Sequence, residues 1–262
     1  MPPGKALITG ASQRLGRAMA LDLAASGWDV AIHYNGSDIE ARATAAEAEA
    51  QGVKATTVQA DLLNESETAT LIARTAEALG GPLSLLINNA SIFENDGFEN
   101  MTRESWDRAQ ESNLRAPVRL TQDFAAQAPE PSTDSKEEPI AQAVVINLID
   151  QRVLKPTPFF LSYMLAKSAL HMFTRTAAQA LAPKVRVAGI GPGPTIVAEN
   201  QSDAHFATQR GACVLGRGSD PEDIVNAMRF ILSCKAFTGQ MLAIDGGQHL
   251  AWQTPDIMGE PC

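Results

Sequence analysis

Apolar and polar positions along this chain alternate between two rhythms. Short apolar runs of strand length end in glycine or small polar residues, and each is followed by a longer stretch whose apolar positions recur three and four apart. The runs KALITG (5–10), WDVAIHY (28–34), VKATTVQAD (53–61), LSLLINNA (83–90), AVVINLI (143–149), VRVAGIGPG (185–193) and MLAID (241–245) predict seven strands. Residues 14–26 place Leu15, Met19, Leu23 and neighbouring alanines on one helical face. Similar spacing predicts helices over 38–51, closed by Gly52, over 65–79, stopped by Gly80-Gly81-Pro82, and over 102–127, 161–182 and 221–233.

Strands separated by helices need crossover connections, which are right-handed and lay helices on both faces of a parallel sheet. The pattern therefore predicts one doubly wound α/β domain over 1–262, with a seven-stranded parallel sheet and no internal repeat. Two segments break the rhythm. APEPSTDSKEEP (128–139) is rich in Pro, Ser and acid and predicts a solvated surface loop. Residues 194–220 lack periodicity and follow a strand's C-terminal end, where ligands bind in such sheets; they are a candidate substrate lid. The helix 161–182 carries Leu161, Leu165, Leu170, Met172, Phe173, Ala177 and Leu181, which do not fit one stripe. One face can pack on the sheet and another calls for a partner subunit, with the apolar tail HLAWQTPDIM (249–258) as a candidate for the same contact.

Composition narrows the class. Hydrophobic residues make up 45 % of the 262 positions and charged residues 19 %, an ordinary balance for a folded chain. The net charge of −9 argues against nucleic acid as the main partner, while locally clustered cations would still hold an anionic ligand. Cys213, Cys234 and Cys262 are far apart and not at metal spacing, which predicts free thiols in a reducing compartment and no metal. No apolar run reaches membrane length, and the first strand begins by Lys5, leaving no room for a signal peptide. A cytoplasmic protein is expected.

The turn ITGASQRLG (8–16) spaces Gly10-x-x-x-Arg14-x-Gly16 between the first strand and the first helix. Gly10 permits the tight turn, Gly16 lets the helix approach the sheet, and the helix N-terminus faces a pyrophosphate. Sites for NAD place an acid near the end of the second strand to bond the ribose 2′-hydroxyl. Here that end reads His33-Tyr34-Asn35-Gly36-Ser37, with Asp29 at the wrong end and Asp38 beyond the glycine. A 2′-phosphate would be welcomed by His33, backbone N–H groups and the Ser37 hydroxyl, so NADP(H) is the expected cofactor.

SYMLAK puts Tyr163 and Lys167 four apart, on one helical face. A phenol with its ordinary pKa of about 10 is a poor acid–base group at neutral pH, and a neighbouring ammonium lowers that value. Asp150 stands at the end of the fifth strand, ahead of this pair, and NNAS (88–91) ends the fourth.

Taken together these motifs resemble the short-chain dehydrogenase/reductase family over nearly the whole chain: the Gly10/Gly16 turn, Asp61, Asn88-Asn89-Ala90, Asn113, Tyr163 and Lys167, Pro192-Gly193, and TGQMLAIDGG (238–247). The resemblance implies a Rossmann-type fold, a homotetramer and hydride transfer from a nicotinamide with Tyr163 as the acid. It implies that Lys167 holds the nicotinamide ribose and lowers the tyrosine pKa, and that Asn113 fixes a water in the proton relay. Asp61, with Leu62 beside it, would contact the adenine. Leu15, Asn89, Ala90, Ser91, Pro192 and Gly193 would line the cofactor cleft, and Thr195 would sit near the carboxamide.

Two departures from the family pattern are informative. Arg14 replaces the middle glycine, and Asp150 replaces the serine that usually orients a carbonyl. Both are similar to the pteridine reductase branch, as are NNAS-x-F (Asn88 to Phe93) and the His-Tyr after the second strand. On that resemblance Arg14 bonds the pyrophosphate and faces the substrate, Phe93 stacks on a planar bicycle, and Ser91 bonds its polar edge. The expected activity is NADPH-dependent reduction of a dihydropteridine or dihydrofolate, with Lys155, Arg210 or Arg217 available to a glutamate tail. Two alternatives stay open: a reductase of 3-oxoacyl or other small ketones, and a noncatalytic NADP-binding sensor, against which Tyr163, Lys167 and Asn113 together argue.

Overall fold

The computed structural model describes residues 1–198, 201–253 and 258. In chain order the elements are β1 (Lys5–Ile8), α1 (Arg14–Ala25), β2 (Asp29–Tyr34), α2 (Asp38–Glu49), β3 (Ala55–Gln59), α3 (Glu65–Leu79), β4 (Leu85–Asn88), α4 (Arg103–Gln110) and α5 (Ala116–Gln127). There follow the two short strands β5 (Ser132–Thr133) and β6 (Pro139–Ile140), then β7 (Ala143–Leu148), α6 (Leu161–Leu181), β8 (Val185–Pro192), α7 (Asp203–Gly211), α8 (Pro221–Ser233) and β9 (Met241–Ile244). Seven strands form one sheet in the order β3-β2-β1-β4-β7-β8-β9, all parallel, the Rossmann-type sheet expected from the sequence.

Strand alternation explains the two-sided core. Ala6, Ile8, Leu85, Ile87, Val144 and Ile146 face the helices α1, α2 and α8, packing with Met19, Leu23, Ile224 and Met228. Leu7, Leu86, Val145 and Val187 face the other way, onto Leu71 of α3, Leu120 and Phe124 of α5 and Ala177 of α6. Strands buried on both faces read as unbroken apolar runs, which is why they were legible in the sequence. The order reverses between β1 and β4, the neighbours at the centre of the sheet, and a cleft at their C-terminal ends is where such folds bind ligands.

Three segments differ from the sequence expectation. The single helix over 102–127 is instead α4 and α5 joined by a π turn over Glu111–Arg115; Asn113 lies in that turn. The loop over 128–139 contains half of a small antiparallel hairpin, β5 with β6. The candidate lid contains α7, capped by the Ser202 hydroxyl and with no buried residue, so its periodicity never marks a core-facing stripe. On α6, Leu165 and Met172 remain exposed, 43 % and 57 %, so one apolar face of that helix is left uncovered by the described residues. Part of the tail segment 249–258 lies outside the described residues, as does Cys262. Cys213 and Cys234 are free thiols, and among the described residues no metal-ligand cluster occurs and no helix is long and apolar enough to cross a membrane.

Candidate active site

The turn after β1 is built for close approach. Gly10 has φ +60°, in the left-handed region, and a Cβ on Gly16 would collide with the Gly10 carbonyl and the Asn89 side-chain amide. That amide donates to the Thr9 and Gly10 carbonyls at 2.8 and 3.0 Å, and the Thr9 hydroxyl accepts from the Asn89 and Ala90 N–H groups, both at 2.9 Å. The ends of β1 and β4 are thereby locked together. α1 has no side-chain cap and no acid in its first turn, so its N-terminal N–H groups and positive dipole end are left to an anion. Leu15 packs back on the core. These residues fit a dinucleotide pyrophosphate.

His33 requires a correction. It is 2 % exposed, its Nδ1 accepts from the Gly10 N–H at 3.1 Å, and its Nε2 donates to the Ala60 carbonyl at 3.1 Å. Burial pulls its pKa down to about 4, so the ring is neutral. It has no charge and no free N–H for a phosphate; it is a strut between the nucleotide turn and the end of β3. Beyond it, Asn35 and Gly36 are exposed, Ser37 is half-buried with its hydroxyl unpaired, and nothing lies within 4 Å of a Cβ on Gly36. Asp38 is held by the Tyr34 hydroxyl at 2.6 Å and by Arg42, so its charge is already paired. Asp61 accepts from the Leu63 N–H while its own N–H donates to Glu67, and Leu62 is buried.

At the ends of β4 and β7 the registered pair Asn88 and Asn147 is bridged by an amide bond of 2.8 Å, and Asn147 donates on to Thr174 of α6 at 2.9 Å. This buried ladder sets α6 against the sheet and presents Tyr163 and Lys167 to the cleft. The Tyr163 hydroxyl donates to Asp150 Oδ2 at 2.8 Å, and Asp150 Oδ1 accepts from the Arg152 N–H. Burial raises the Asp150 carboxyl above the usual range. Burial and then Asp150 raise Tyr163 well above its ordinary value. The net shift at Tyr163 is thus upward, set by burial and Asp150, opposite to the lowering expected from Lys167 alone. Lys167 donates to the Leu148 carbonyl at 2.7 Å, its Nζ lies 5.7 Å from the Tyr163 ring, and burial pulls it down to about 8. Tyr163 stays a neutral phenol, hydrogen-bonded to a carboxyl whose burial favours its protonated form.

Asn113 is fully buried. Its side-chain carbonyl accepts from the Ser91 hydroxyl at 3.0 Å and the Ile92 N–H at 2.9 Å, and its amide donates to the Ile92 carbonyl. The side chain is spent on tying loop 91–92, so any hold on a water falls to backbone carbonyls of the π turn, a feature common at functional sites.

On the substrate side, Phe93 packs its edge against Tyr163, centroids 4.8 Å apart, and its face against Phe160, 4.2 Å apart and 8° from parallel. Arg14 takes φ 55°, a conformation glycine would adopt without strain, and its guanidinium donates to the Ile196 and Val197 carbonyls. It ties the nucleotide turn to the start of the candidate lid. The lid's ends are clasped by Thr195 and Ser219, whose hydroxyls are 2.5 Å apart, and by Arg210, which bonds the Pro194 and Ser219 carbonyls. Gly193, after Pro192, donates its N–H to Ile244 of β9. Of the three cations expected for a substrate tail, Arg210 and Arg217 both pair with Asp220, and Lys155 bonds the Gln248 carbonyl.

A family model for short chain dehydrogenases matches residues 4–206. This chain is a short-chain dehydrogenase. Among solved structures, FolM alternative dihydrofolate reductase 1 from Brucella suis, in complex with NADP, is 41 % identical with a TM-score of 0.89, covering 96 % of this chain and 97 % of its own. Pteridine reductase 1 from Leishmania tarentolae is 31 % identical over 94 % of this chain and 96 % of its own. The 3-oxoacyl-[acyl-carrier-protein] reductase FabG from Staphylococcus aureus is 29 % identical over 94 % and 98 %.

Sequence reasoning missed three residues of this short-chain dehydrogenase that the fold brings to the site. Asp96, 5 % exposed, accepts from the Ser162 N–H and hydroxyl and from the Ser105 hydroxyl, pinning the first turn of α6 to α4. Phe160, with φ 56°, completes the stack on Phe93, and Arg152 lies over both rings, its Cζ 4.9 Å from the Phe160 centroid and 5.7 Å from that of Phe93. The signal for the last two was the pair of phenylalanines in KPTPFF just before α6, and a cation two residues after Asp150.

Proposed function

We propose that this short-chain dehydrogenase is an NADPH-dependent reductase of a dihydropteridine C=N bond. The observation that carries the reading is the 2.8 Å bond between the Tyr163 hydroxyl and the Asp150 carboxyl. NADPH supplies a hydride. The nucleotide turn, the Ser37 loop without a free acid, and Lys167 are the residues that would hold it, in keeping with the NADP bound in the FolM structure from Brucella suis.

Reducing a carbonyl builds negative charge on oxygen, and a carboxylate beside that oxygen would oppose it. Reducing C=N instead requires a proton on nitrogen as the hydride reaches carbon. Burial shifts Asp150 towards the protonated form that could deliver such a proton, and Tyr163, bonded to it, relays or donates one. Phe93, 44 % exposed and stacked on Phe160, would border a flat bicycle, Ser91 is bonded to Asn113 beside it, and Arg14 links the cofactor turn to the 194–220 segment, read here as the lid. The uncovered Leu165 and Met172 support the self-association that the family resemblance implies.

Steady-state turnover with NADPH tests this, using dihydrofolate and dihydrobiopterin against a 3-oxoacyl thioester. The expected outcome is pteridine turnover with little ketone reduction. Turnover of the thioester alone would replace this reading with the ketone reductase one, which the relationship to FabG otherwise favours.

A further inference from the structure

We propose that Arg152 reads a carboxylate on the substrate, so that the pteridine taken by this site carries an acidic tail, as dihydrofolate does. The inference rests on the pteridine reading above and deepens it.

The other cations around the cleft are committed. Arg14 is spent on two carbonyls, Arg108 pairs with Glu94, Arg210 and Arg217 pair with Asp220, and Lys155 bonds a carbonyl. The Arg152 guanidinium has no ion pair or hydrogen bond among the described residues; its backbone N–H donates to Asp150 and its carbonyl accepts from the Lys155 N–H. It is half-buried beside the Phe93–Phe160 stack, its Cζ 4.9 Å from the Phe160 centroid and 5.7 Å from that of Phe93, which removes part of its water while leaving its fork of donors unused. A planar fork with unused donors matches a carboxylate in two parallel bonds, stronger than any bond to a neutral acceptor.

Its place fits the tail end of a substrate. Phe93 makes a T-shaped contact with Tyr163, centroids 4.8 Å apart, and Arg152 Cζ lies 5.7 Å from the Phe93 centroid, so the cation stands close to the proton-donating pair. A bicycle reduced at Tyr163 would project its substituent past the Phe93–Phe160 stack. An aryl group there meets apolar rings, with Phe159 63 % exposed beside them, and carboxylates beyond it meet Arg152. A chain of net charge −9 repels an anionic substrate in general, and a single unpaired guanidinium at the cleft offsets that locally.

The test compares kcat/KM for dihydrofolate and for dihydrobiopterin, which lacks the carboxylates, in the unmodified enzyme, Arg152→Gln and Arg152→Lys. Taking the ratio of the two substrates cancels any effect on Asp150 or on the shared bicycle. The ratio is expected to fall about tenfold or more in Arg152→Gln, mainly through KM for dihydrofolate, with partial recovery in Arg152→Lys. In the unmodified enzyme, without any substitution, added salt should raise KM for dihydrofolate and leave that for dihydrobiopterin nearly constant. An unchanged ratio, or a salt response common to both substrates, overturns the proposal while leaving pteridine reduction standing. Failure of the unmodified enzyme to reduce either pteridine overturns the reading beneath it instead.

Discussion

The two sides of the cleft are built on opposite principles. On the nucleotide side, polar groups are paired with one another: His33 bridges Gly10 and Ala60, Thr9 and Asn89 lock β1 to β4, and Tyr34 holds Asp38. What is left free there is backbone, the uncapped start of α1. On the substrate side, side chains are left in costly states. Asp150 is a buried carboxyl, Arg152 an unpaired guanidinium, Phe93 an exposed ring, and Phe160 a left-handed non-glycine residue; Gln151 and Thr157 in the same loop hold buried oxygens with no protein partner. A cofactor shared by many reactions needs only a rigid backbone cradle. A particular substrate needs unsatisfied groups, and these persist only where the surrounding fold holds them in place.

The largest effect that would break this contrast is at Tyr163. Tyr163→Phe keeps the ring against Phe93 and removes only the hydroxyl. Pteridine turnover should fall by about 10³-fold, within the range for loss of a positioned acid, while NADPH affinity by fluorescence titration stays near that of the unmodified enzyme. A large loss of NADPH affinity would mean that the two sides are not separable.

Asp150→Ser is expected to cost about 10²-fold in pteridine reduction, with any weak ketone reduction retained or raised. The pH dependence sharpens the point. With its pKa raised by burial, Asp150 keeps its proton above the usual carboxylate range and loses it as pH rises, so reduction should decline along that rise. Asp150→Ser should lack that limb. Full pteridine turnover in the variant would remove the carboxyl from the chemistry.

The smallest effects are on stability, and they should have opposite signs on the two sides. His33 is neutral when folded, with a pKa of about 4 against an unfolded value of about 6.5. The unfolded chain binds more protons between these values, so melting temperature should fall as pH is lowered from about 6.5 towards 4, and His33→Gln should lose that slope. Asp150 has the reverse linkage: a raised carboxyl pKa stabilises the fold only while protonated and costs stability once the group ionises. Asp150→Asn should therefore flatten the fall of melting temperature as pH rises through the carboxyl's titration. Calorimetric scans of both variants check the pair; the same sign at both positions would dissolve the distinction.

The sequence by itself determined the sheet, its seven strands and the chain positions of the candidate site residues. Strands buried on both faces must be apolar throughout, glycine is required where the α1 turn meets β4, and a Tyr–Lys pair four apart must share a helical face; each is a local consequence of residue type and spacing. Only the tertiary structure decided what those groups do. His33 looked like a phosphate ligand because its neighbours in the chain are loop residues, but the turn after β1 and the end of β3 close over its ring and make it neutral. Lys167 looked like the group that tunes Tyr163, but Asp150 comes closer across the cleft and acts in the opposite direction. Arg210 and Arg217 looked free until Asp220 was brought beside them, while the Arg152 guanidinium, two residues after Asp150, is left without a hydrogen-bond or ion-pair partner among the described residues. Charge state and pairing depend on burial and on neighbours distant in sequence, and neither can be read from the spacing of residues along one strand or helix.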